Sequence, residues 1–182
     1  WGVGGLEAQT VMFGMPTLLR IPDVIGVRLT GALGAGVSAT DLALTVTQRL
    51  REIQVSGEFV EFFGPGVATL PAGSRCVVAN MAPEYGATTG YFPIDGQTLA
   101  YLRQTGRPET LIAQVQAYAE RTGIAYDPAA EPRYTRVIDI ALDRVQVHVA
   151  GPRRPQDLHP YGHAKAILAG LAGAPAVPAH GL

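Results

Sequence analysis

The sequence has a single cysteine, Cys76, among its 182 residues. One thiol cannot form an intramolecular disulfide, and it cannot by itself hold a metal or iron–sulfur site that needs several thiolates. An excess of charge of one sign is lacking as well, because 14 Lys and Arg face 15 Asp and Glu, for a formal net charge of -1. This balance provides no electrostatic reason to expect nucleic acid or an anionic membrane as the main partner.

Long apolar runs are missing too, since none approaches the roughly 20 residues that a membrane-spanning helix needs. The sequence opens on Trp1 instead of Met and shows no signal-peptide pattern there. We therefore expect a processed chain or a piece of a longer protein. A chain of this length buries about 70% of its unfolded surface, so its core needs neither a disulfide nor a metal for support.

Strand and helix patterns alternate along the chain. The clearest helix patterns follow Ser38 or Thr40, where an apolar residue recurs every turn up to Ile53, and cover Glu109–Thr122. Runs typical of strands are Thr17–Ile21, Val24–Leu29, Glu58–Phe63, Arg136–Leu142 and Val145–Val149, with a tight Asp-Arg turn joining the last two. Strands that alternate with helices predict an α/β domain, layered with helices on both sides of a mostly parallel sheet.

The segment from Asn80 to Thr88 is the strongest candidate for a functional site. Asn80 and Glu84 would share one face of a helix, and Pro83 with Gly86 predicts a specially shaped turn. Polar groups on such a turn at a sheet edge commonly line a site. Both side chains could equally satisfy local backbone groups, and spacing alone favours that second interpretation.

Other reactive residue types are weaker candidates. Cys76 lies among apolar neighbours, so we expect a small buried side chain rather than a nucleophile. His159 and His163 have the spacing of a metal pair on a helix, but Pro160 and Gly162 disfavour that helix. The sequence therefore predicts no metal-binding residues.

Six short sequence motifs bear on whether the Asn80–Thr88 segment is functional. In order along the chain they read WGVGGLEAQTVMFGMP, IPDVIGVRLTG, SATDLALTVTQRLR, GEFVEFFGPGV, ANMAPEYGATTGYFPID and GPRRPQD. Together they closely resemble the aconitase family, in particular its branch of aconitate hydratases A and iron regulatory proteins. The resemblance runs from Trp1 to about Asp157. It implies a three-layer α/β/α domain of the aconitase type with a mostly parallel sheet.

The resemblance also implies a reaction. Enzymes of this family are hydro-lyases that interconvert citrate and isocitrate through cis-aconitate, with a 4Fe-4S cluster that three cysteines hold. Asn80 and Glu84 match the family's NM-x-x-E-x-GAT turn, which faces that cluster. The resemblance thus favours Asn80 and Glu84 as the catalytic residues, with Glu84 in a hydrogen-bonding or proton-relay role near the leaving hydroxyl.

Most of the family's active site has no counterpart in this sequence. The three cluster cysteines, the substrate arginines and the serine base are absent, and Cys76 matches none of the ligand positions. We therefore expect no cofactor-binding residues, no cluster and no hydratase activity in this chain alone. Its expected partners are the remaining aconitase domains and, in the complete enzyme, a tricarboxylic acid. We expect no membrane binding and a cytoplasmic location. RNA binding, which the resemblance to the iron regulatory branch leaves open, has no support in the balanced charge of this chain.

The resemblance and the composition together predict three segments along the chain. We expect an aconitase-type domain at residues 1–130, a two-strand segment leading into the next domain at 131–157, and a loose tail rich in Ala, Gly and Pro at 158–182. That tail contains no run typical of a strand, and it departs from the family pattern.

Two alternatives stay open. The first is a related dehydratase for a methylcitrate- or homocitrate-type acid, because the residues that select the substrate are not in this chain. The second is a stand-alone binding module without catalysis. An apolar patch left bare near Trp1 or Asn80–Glu84 would favour packing against sister domains over that module.

Overall fold

The computed structural model describes residues 3–16 and 18–172. The helices are α1 (Gly5–Met12), α2 (Ala39–Glu52), α3 (Ala72–Asn80), α4 (Ala82–Tyr85), α5 (Gly96–Gln104), α6 (Glu109–Thr122) and α7 (Ala164–Ala172). The strands are β1 (Val24–Thr30), β2 (Phe59–Phe63), β3 (Thr89–Tyr91), β4 (Arg136–Ala141), β5 (His148–Ala150) and β6 (Leu158–Pro160). Short 3-10 helices lie at Pro65–Thr69, Leu142–Arg144 and Tyr161–His163.

Strands β1 to β4 form one sheet in the order β3-β2-β1-β4, and each neighbouring pair is parallel. The chain adds β2 and β3 on one side of β1 and then crosses to add β4 on the other side. The expected α/β fold class with a mostly parallel sheet is confirmed.

Helix α2 forms where the sequence predicts it. Ser38 caps its first turn, because the Ser38 side chain accepts from the Asp41 amide while the Asp41 carboxylate accepts from the Ser38 amide. Leu42, Val46 and Leu50 recur every four residues and are fully buried. Burial of this stripe, rather than helix propensity alone, holds α2 in place.

The two faces of the sheet differ. On one face, Ile25, Val27 and Leu29 of β1 join a single apolar core with side chains of α2, α3 and α4. On the other face Gly26 lies directly under the ring of Tyr134, where a Cβ atom would overlap that ring. A glycine in the central strand therefore admits an aromatic ring from the segment that precedes β4.

The end of the chain corrects two expectations. The predicted run Val145–Val149 forms a strand only at β5, which pairs antiparallel with β6 and not with β4. The tail at 158–182 was expected to contain no strand, yet its described part, 158–172, begins with β6 and continues into α7, while 173–182 lie outside the described residues. Pairing with a nearby earlier strand stabilises three residues, one of them Pro160, that local propensity would not select.

The N-terminal region also differs from the prediction. Residues 18–21 of the predicted strand Thr17–Ile21 form no strand, and Thr17 lies outside the described residues. Leu18 and Ile21 are 95% and 94% exposed, so this segment pairs with no edge of the sheet.

Across residues 3–16 and 18–172, every helix falls short of the length and apolar character that crossing a membrane would require.

Candidate functional site

Asn80 and Glu84 lie on consecutive helical turns. Asn80 is the last residue of α3 and Glu84 belongs to α4, with Met81 between them at φ -85° and ψ 14°. The ψ of Met81 lies outside the helical range, so the helical path is interrupted between Asn80 and Glu84, and α4 is a separate short helix. Pro83 occupies the first turn of α4, where its missing N–H costs no hydrogen bond.

Arg51 ties this junction to the end of α2. Its Nε donates to the Glu84 carbonyl oxygen at 2.6 Å, and its Nη2 donates to the Pro83 carbonyl oxygen at 3.4 Å. The Glu84 carbonyl thereby gains a partner at the end of a four-residue helix, and the Pro83 carbonyl, which also accepts from the Gly86 amide, gains a second one. Arg51 therefore positions the backbone of Glu84 without engaging its carboxylate.

Gly86 turns the chain from α4 towards β3. It adopts φ 89°, and a Cβ atom there would overlap the carbonyl oxygen of Val55. Its own carbonyl oxygen accepts from the Gly57 amide at 2.7 Å. Only glycine fits both the left-handed backbone and this close approach, so the prediction of a specially shaped turn is confirmed.

Tyr85 anchors the same turn in the core. It is fully buried, and among the described residues its hydroxyl has no hydrogen-bond partner. Burial, with the charge of Glu84 as a smaller contribution, raises the pKa of Tyr85 above its usual value. The phenol lies against Gly90 of β3, where a Cβ atom would overlap it. The turn is therefore held by packing from below while its polar side chains face outward.

The Asn80 and Glu84 side chains are both exposed, and neither has a hydrogen bond or ion pair with another described residue. The alternative that they satisfy local backbone groups therefore finds no support in the contacts. An exposed amide can donate and accept hydrogen bonds, and an exposed carboxylate can accept them or carry a proton. Both groups are free to act on something outside this chain.

The junction lies at the amino end of the sheet. The Thr88 amide donates to the Glu58 carbonyl oxygen at 2.9 Å, just before β2 and β3 begin to pair. Open α/β sheets usually bind ligands at the opposite edge, beyond the carboxyl ends of the strands where the strand order reverses. Sheet topology alone would therefore have directed attention to the end of β1 and β4.

Cys76 lies where the sequence did not predict it. It was expected to be buried, but it is exposed on α3, whose buried side chains are Arg75 and Val78. The described residues hold no group of three or more His, Cys, Asp or Glu side chains close enough to share a metal ion. A 4Fe-4S cluster needs several thiolates, so the residues of this chain do not fit that group.

A second polar feature was not predicted from the sequence. Glu61 of β2 and Tyr91 of β3 are direct neighbours in the sheet, and both line a cavity of about 480 Å³ with Phe63 and Tyr134. The alternation in EFVEFF was the available signal, because it places Glu61 and Phe63 on the face opposite Val60 and Phe62.

The chain is similar to known proteins over most of its length. The family model described as "Aconitase family (aconitate hydratase)" matches residues 1–169. This match continues past Asp157, where the resemblance was expected to end, and so includes β6 and part of α7. The family pattern therefore extends into the region that we expected to be a divergent tail.

Three curated relatives, each called aconitate hydratase A, illustrate the similarity. The protein of Bacillus subtilis is 54% identical over 161 residues, which cover 88% of this chain. That of Thermus thermophilus is 52% identical over 167 residues (91% of this chain), and that of Escherichia coli is 50% identical over 157 residues (86%). The chain spans about 18% of the length of these relatives.

Proposed function

Because this chain belongs to the aconitase family, we propose that it serves as one domain of an aconitate hydratase. The reaction would be the interconversion of citrate and isocitrate through cis-aconitate, catalysed by the complete protein. The chain's own contribution would be to present Asn80 and Glu84 to a tricarboxylic acid bound elsewhere in that protein. The observation that carries this proposal is a pair of polar side chains without hydrogen-bond or ion-pair partners among the described residues, on a turn that Arg51, Gly86 and Tyr85 hold in place.

The N-terminal region supports the proposed partners, the remaining aconitase domains. It displays large apolar side chains to solvent, and those of Leu6, Met12 and Phe13 are 83%, 84% and 80% exposed. A monomeric domain seldom leaves so many apolar side chains bare on one short segment. A bare segment near Trp1 is the feature that favours packing against sister domains over a stand-alone module.

Glu84 and Asn80 would have different tasks. The Glu84 carboxylate would accept a hydrogen bond from, or pass a proton to, the hydroxyl that leaves the substrate. Asn80, one turn away, would use its amide to orient the groups around that hydroxyl. The backbone bonds from Arg51 would hold Glu84 in position, because small displacements of a catalytic group cost large factors in rate.

The iron–sulfur cluster must come from outside this chain. In a complete enzyme it would supply Lewis-acid activation of the hydroxyl. This chain has one thiol, Cys76, on the surface of α3, and it therefore cannot hold the cluster. We accordingly propose that the chain alone is inactive, and that the complete protein works in the cytoplasm.

A chimera tests the role of Glu84. Let this chain replace the matching segment of the Bacillus subtilis relative, and let Glu84→Gln be compared with the unchanged chimera. We expect kcat for aconitate hydration to fall by about 100-fold or more, the usual range for losing a positioned acid or base. Glu52→Gln, which removes an exposed carboxylate at the end of α2, is the matched control and should keep full activity. Equal activity of Glu84→Gln and the control would refute the assignment.

The isolated chain tests the proposal that this domain alone binds no cluster and is inactive. After anaerobic incubation with iron and sulfide, we expect neither the visible absorption of a cluster nor turnover of cis-aconitate. Stable absorption with turnover would show that the chain is catalytically complete, against the proposal.

A further inference from the structure

The second face of the sheet carries a cavity of about 480 Å³ that the proposed hydratase role does not use. Its floor is formed by Glu61 and Phe63 of β2 and by Tyr91 of β3, and Tyr134 forms one wall. The Phe63 and Tyr134 rings lie 5.0 Å apart between centroids and tilt by 45°. The cavity therefore brings these three aromatic rings together with the Glu61 carboxylate, and Phe62, Tyr126 and Asp127 also belong to its lining.

The charge of this cavity is negative and uncompensated. Burial, followed by the charge of Glu61, raises the pKa of Tyr134 above its usual value. Tyr91 responds in the same direction, with burial first and Glu61 second as the causes of its raised pKa. Among the described residues no Lys, Arg or His forms an ion pair with Glu61, and the other acidic residue of the lining is Asp127. The site thus offers carboxylate oxygen and π-faces, the two features that attract an organic cation.

The chain itself already places one guanidinium group in this way. Arg28 of β1 lies with its Cζ 5.2 Å from the centroid of the Phe63 ring. Its Nε is 3.5 Å from Asp139 Oδ1, and its Nη1 is 3.7 Å from Glu131 Oε1. Phe63 and nearby carboxylates therefore accommodate the guanidinium of Arg28. Glu61 also combines a carboxylate with neighbouring aromatic rings, but among the described residues no cation pairs with it.

We propose that the cavity lined by Glu61, Phe63, Tyr91 and Tyr134 binds the guanidinium group of an arginine side chain from another polypeptide segment. The guanidinium would donate to Glu61 while lying against the tyrosine rings. Its planar, forked donors suit both contacts at once, which a compact ammonium group matches less well.

A polypeptide is the source that the shape of the cavity favours. The cavity is open on one side, so a free small cation would stay largely solvated and would bind weakly. A side chain delivered by a docked segment has a high effective concentration at the site, and it needs no strong intrinsic affinity. This inference does not depend on hydratase chemistry, since none of the four lining residues has a part in the proposed reaction.

The test uses N-acetyl-L-arginine N-methylamide, which mimics an arginine within a chain. Backbone amide shifts of the ¹⁵N-labelled chain are followed during titration, with the equally sized but neutral N-acetyl-L-citrulline N-methylamide as control. We expect saturable shifts in β2 and β3 with the arginine probe, and binding about fivefold or more tighter than that of the citrulline probe. Equal affinity of the two probes, or shifts confined to other elements, would overturn the proposal.

Variants separate the contributions. Glu61→Gln keeps the shape of the side chain and removes its charge, so the affinity for the arginine probe should fall about fivefold. Glu7→Gln removes an exposed carboxylate of α1 and should leave that affinity unchanged. Tyr91→Phe keeps the ring and should bind like the parent, and Tyr91→Leu should bind more weakly. Unchanged binding by Glu61→Gln would overturn the site. Free L-arginine should bind no more tightly than the capped probe, and tighter binding would assign the site to a small molecule instead of a polypeptide.

Discussion

Arg75 and Asp95 form a buried, two-pronged ion pair. Nη2 of Arg75 is 2.6 Å from Oδ2 of Asp95 and Nη1 is 2.9 Å from Oδ1, and the two side chains are 5% and 8% exposed. The same guanidinium also donates to the backbone carbonyls of Val67 and Leu70, while Asp95 caps α5. One pair thus joins α3, the loop after β2 and the start of α5.

Breaking this pair should be costly. Arg75→Met leaves the Asp95 carboxylate buried without its partner, and we expect the free energy of unfolding to fall by about 3–5 kcal/mol. Arg103→Met is the matched control, because its pair with Glu109 lies on the surface, and it should change stability little. Urea denaturation followed by circular dichroism measures both. Similar losses for the two variants would contradict a special role of the buried pair.

Gly86 should tolerate no side chain. Gly86→Ala forces a left-handed backbone and an overlap with the Val55 carbonyl oxygen, so we expect a loss of about 3 kcal/mol. Gly36→Ala provides the control, since Gly36 has a similar φ of 82° but no atom within 4 Å of the place that a methyl group would occupy. It should lose only about 1 kcal/mol from the backbone. Thermal melting of both variants would show whether the close approach matters beyond the backbone angle.

Asp41 should make the free energy of unfolding depend on pH. Burial raises its pKa, but hydrogen bonds from the Ser38 hydroxyl and from the backbone amides of His148 and Ser38 outweigh this effect, so the pKa lies below its ordinary value of 3.8. The stabilisation is therefore present above about pH 4 and is lost as the pH falls through the lowered pKa.

The variant Asp41→Asn tests this dependence. It should be about 1–2 kcal/mol less stable than the parent at pH 7, because it loses charged hydrogen bonds at the start of α2. In urea titrations, the difference in the free energy of unfolding between the parent and Asp41→Asn should become smaller as the pH is lowered from about 5 towards about 3. A difference that stays constant with pH would argue against the carboxylate as its source.

Cys76 should react in the folded protein. It is exposed on α3, so a thiol reagent such as dithionitrobenzoate should modify one thiol per chain in native buffer. The colour released before and after addition of denaturant gives the measurement. Modification that requires denaturant would instead support the burial predicted from the apolar neighbours.

Helices α2 and α6 and strands β1, β2 and β4 were predictable, because their signals are local. Ser38 and the stripe from Leu42 to Leu50 predict α2, and Glu109–Thr122 coincides with α6. The outward orientation of Cys76 was not predictable, because it depends on which side of α3 packs against the core. The spacing and the turn residues singled out Asn80 and Glu84, the family resemblance favoured a functional role for them, and that catalytic role stays a prediction.

The sequence by itself determined the α/β class, the turn at Gly86 and membership of the aconitase family. The signals for these features are helix caps, hydrophobic periodicity and sequence motifs, and each is contained in a short segment of the chain. Only the tertiary structure decided that β5 pairs with β6, that Arg75 reaches Asp95, and that Glu61 shares a cavity with Tyr91 and Tyr134. These relations join residues that are distant along the chain. They are decided by the packing of the whole domain, where the gain from each contact must exceed the entropy lost in closing the loops between them.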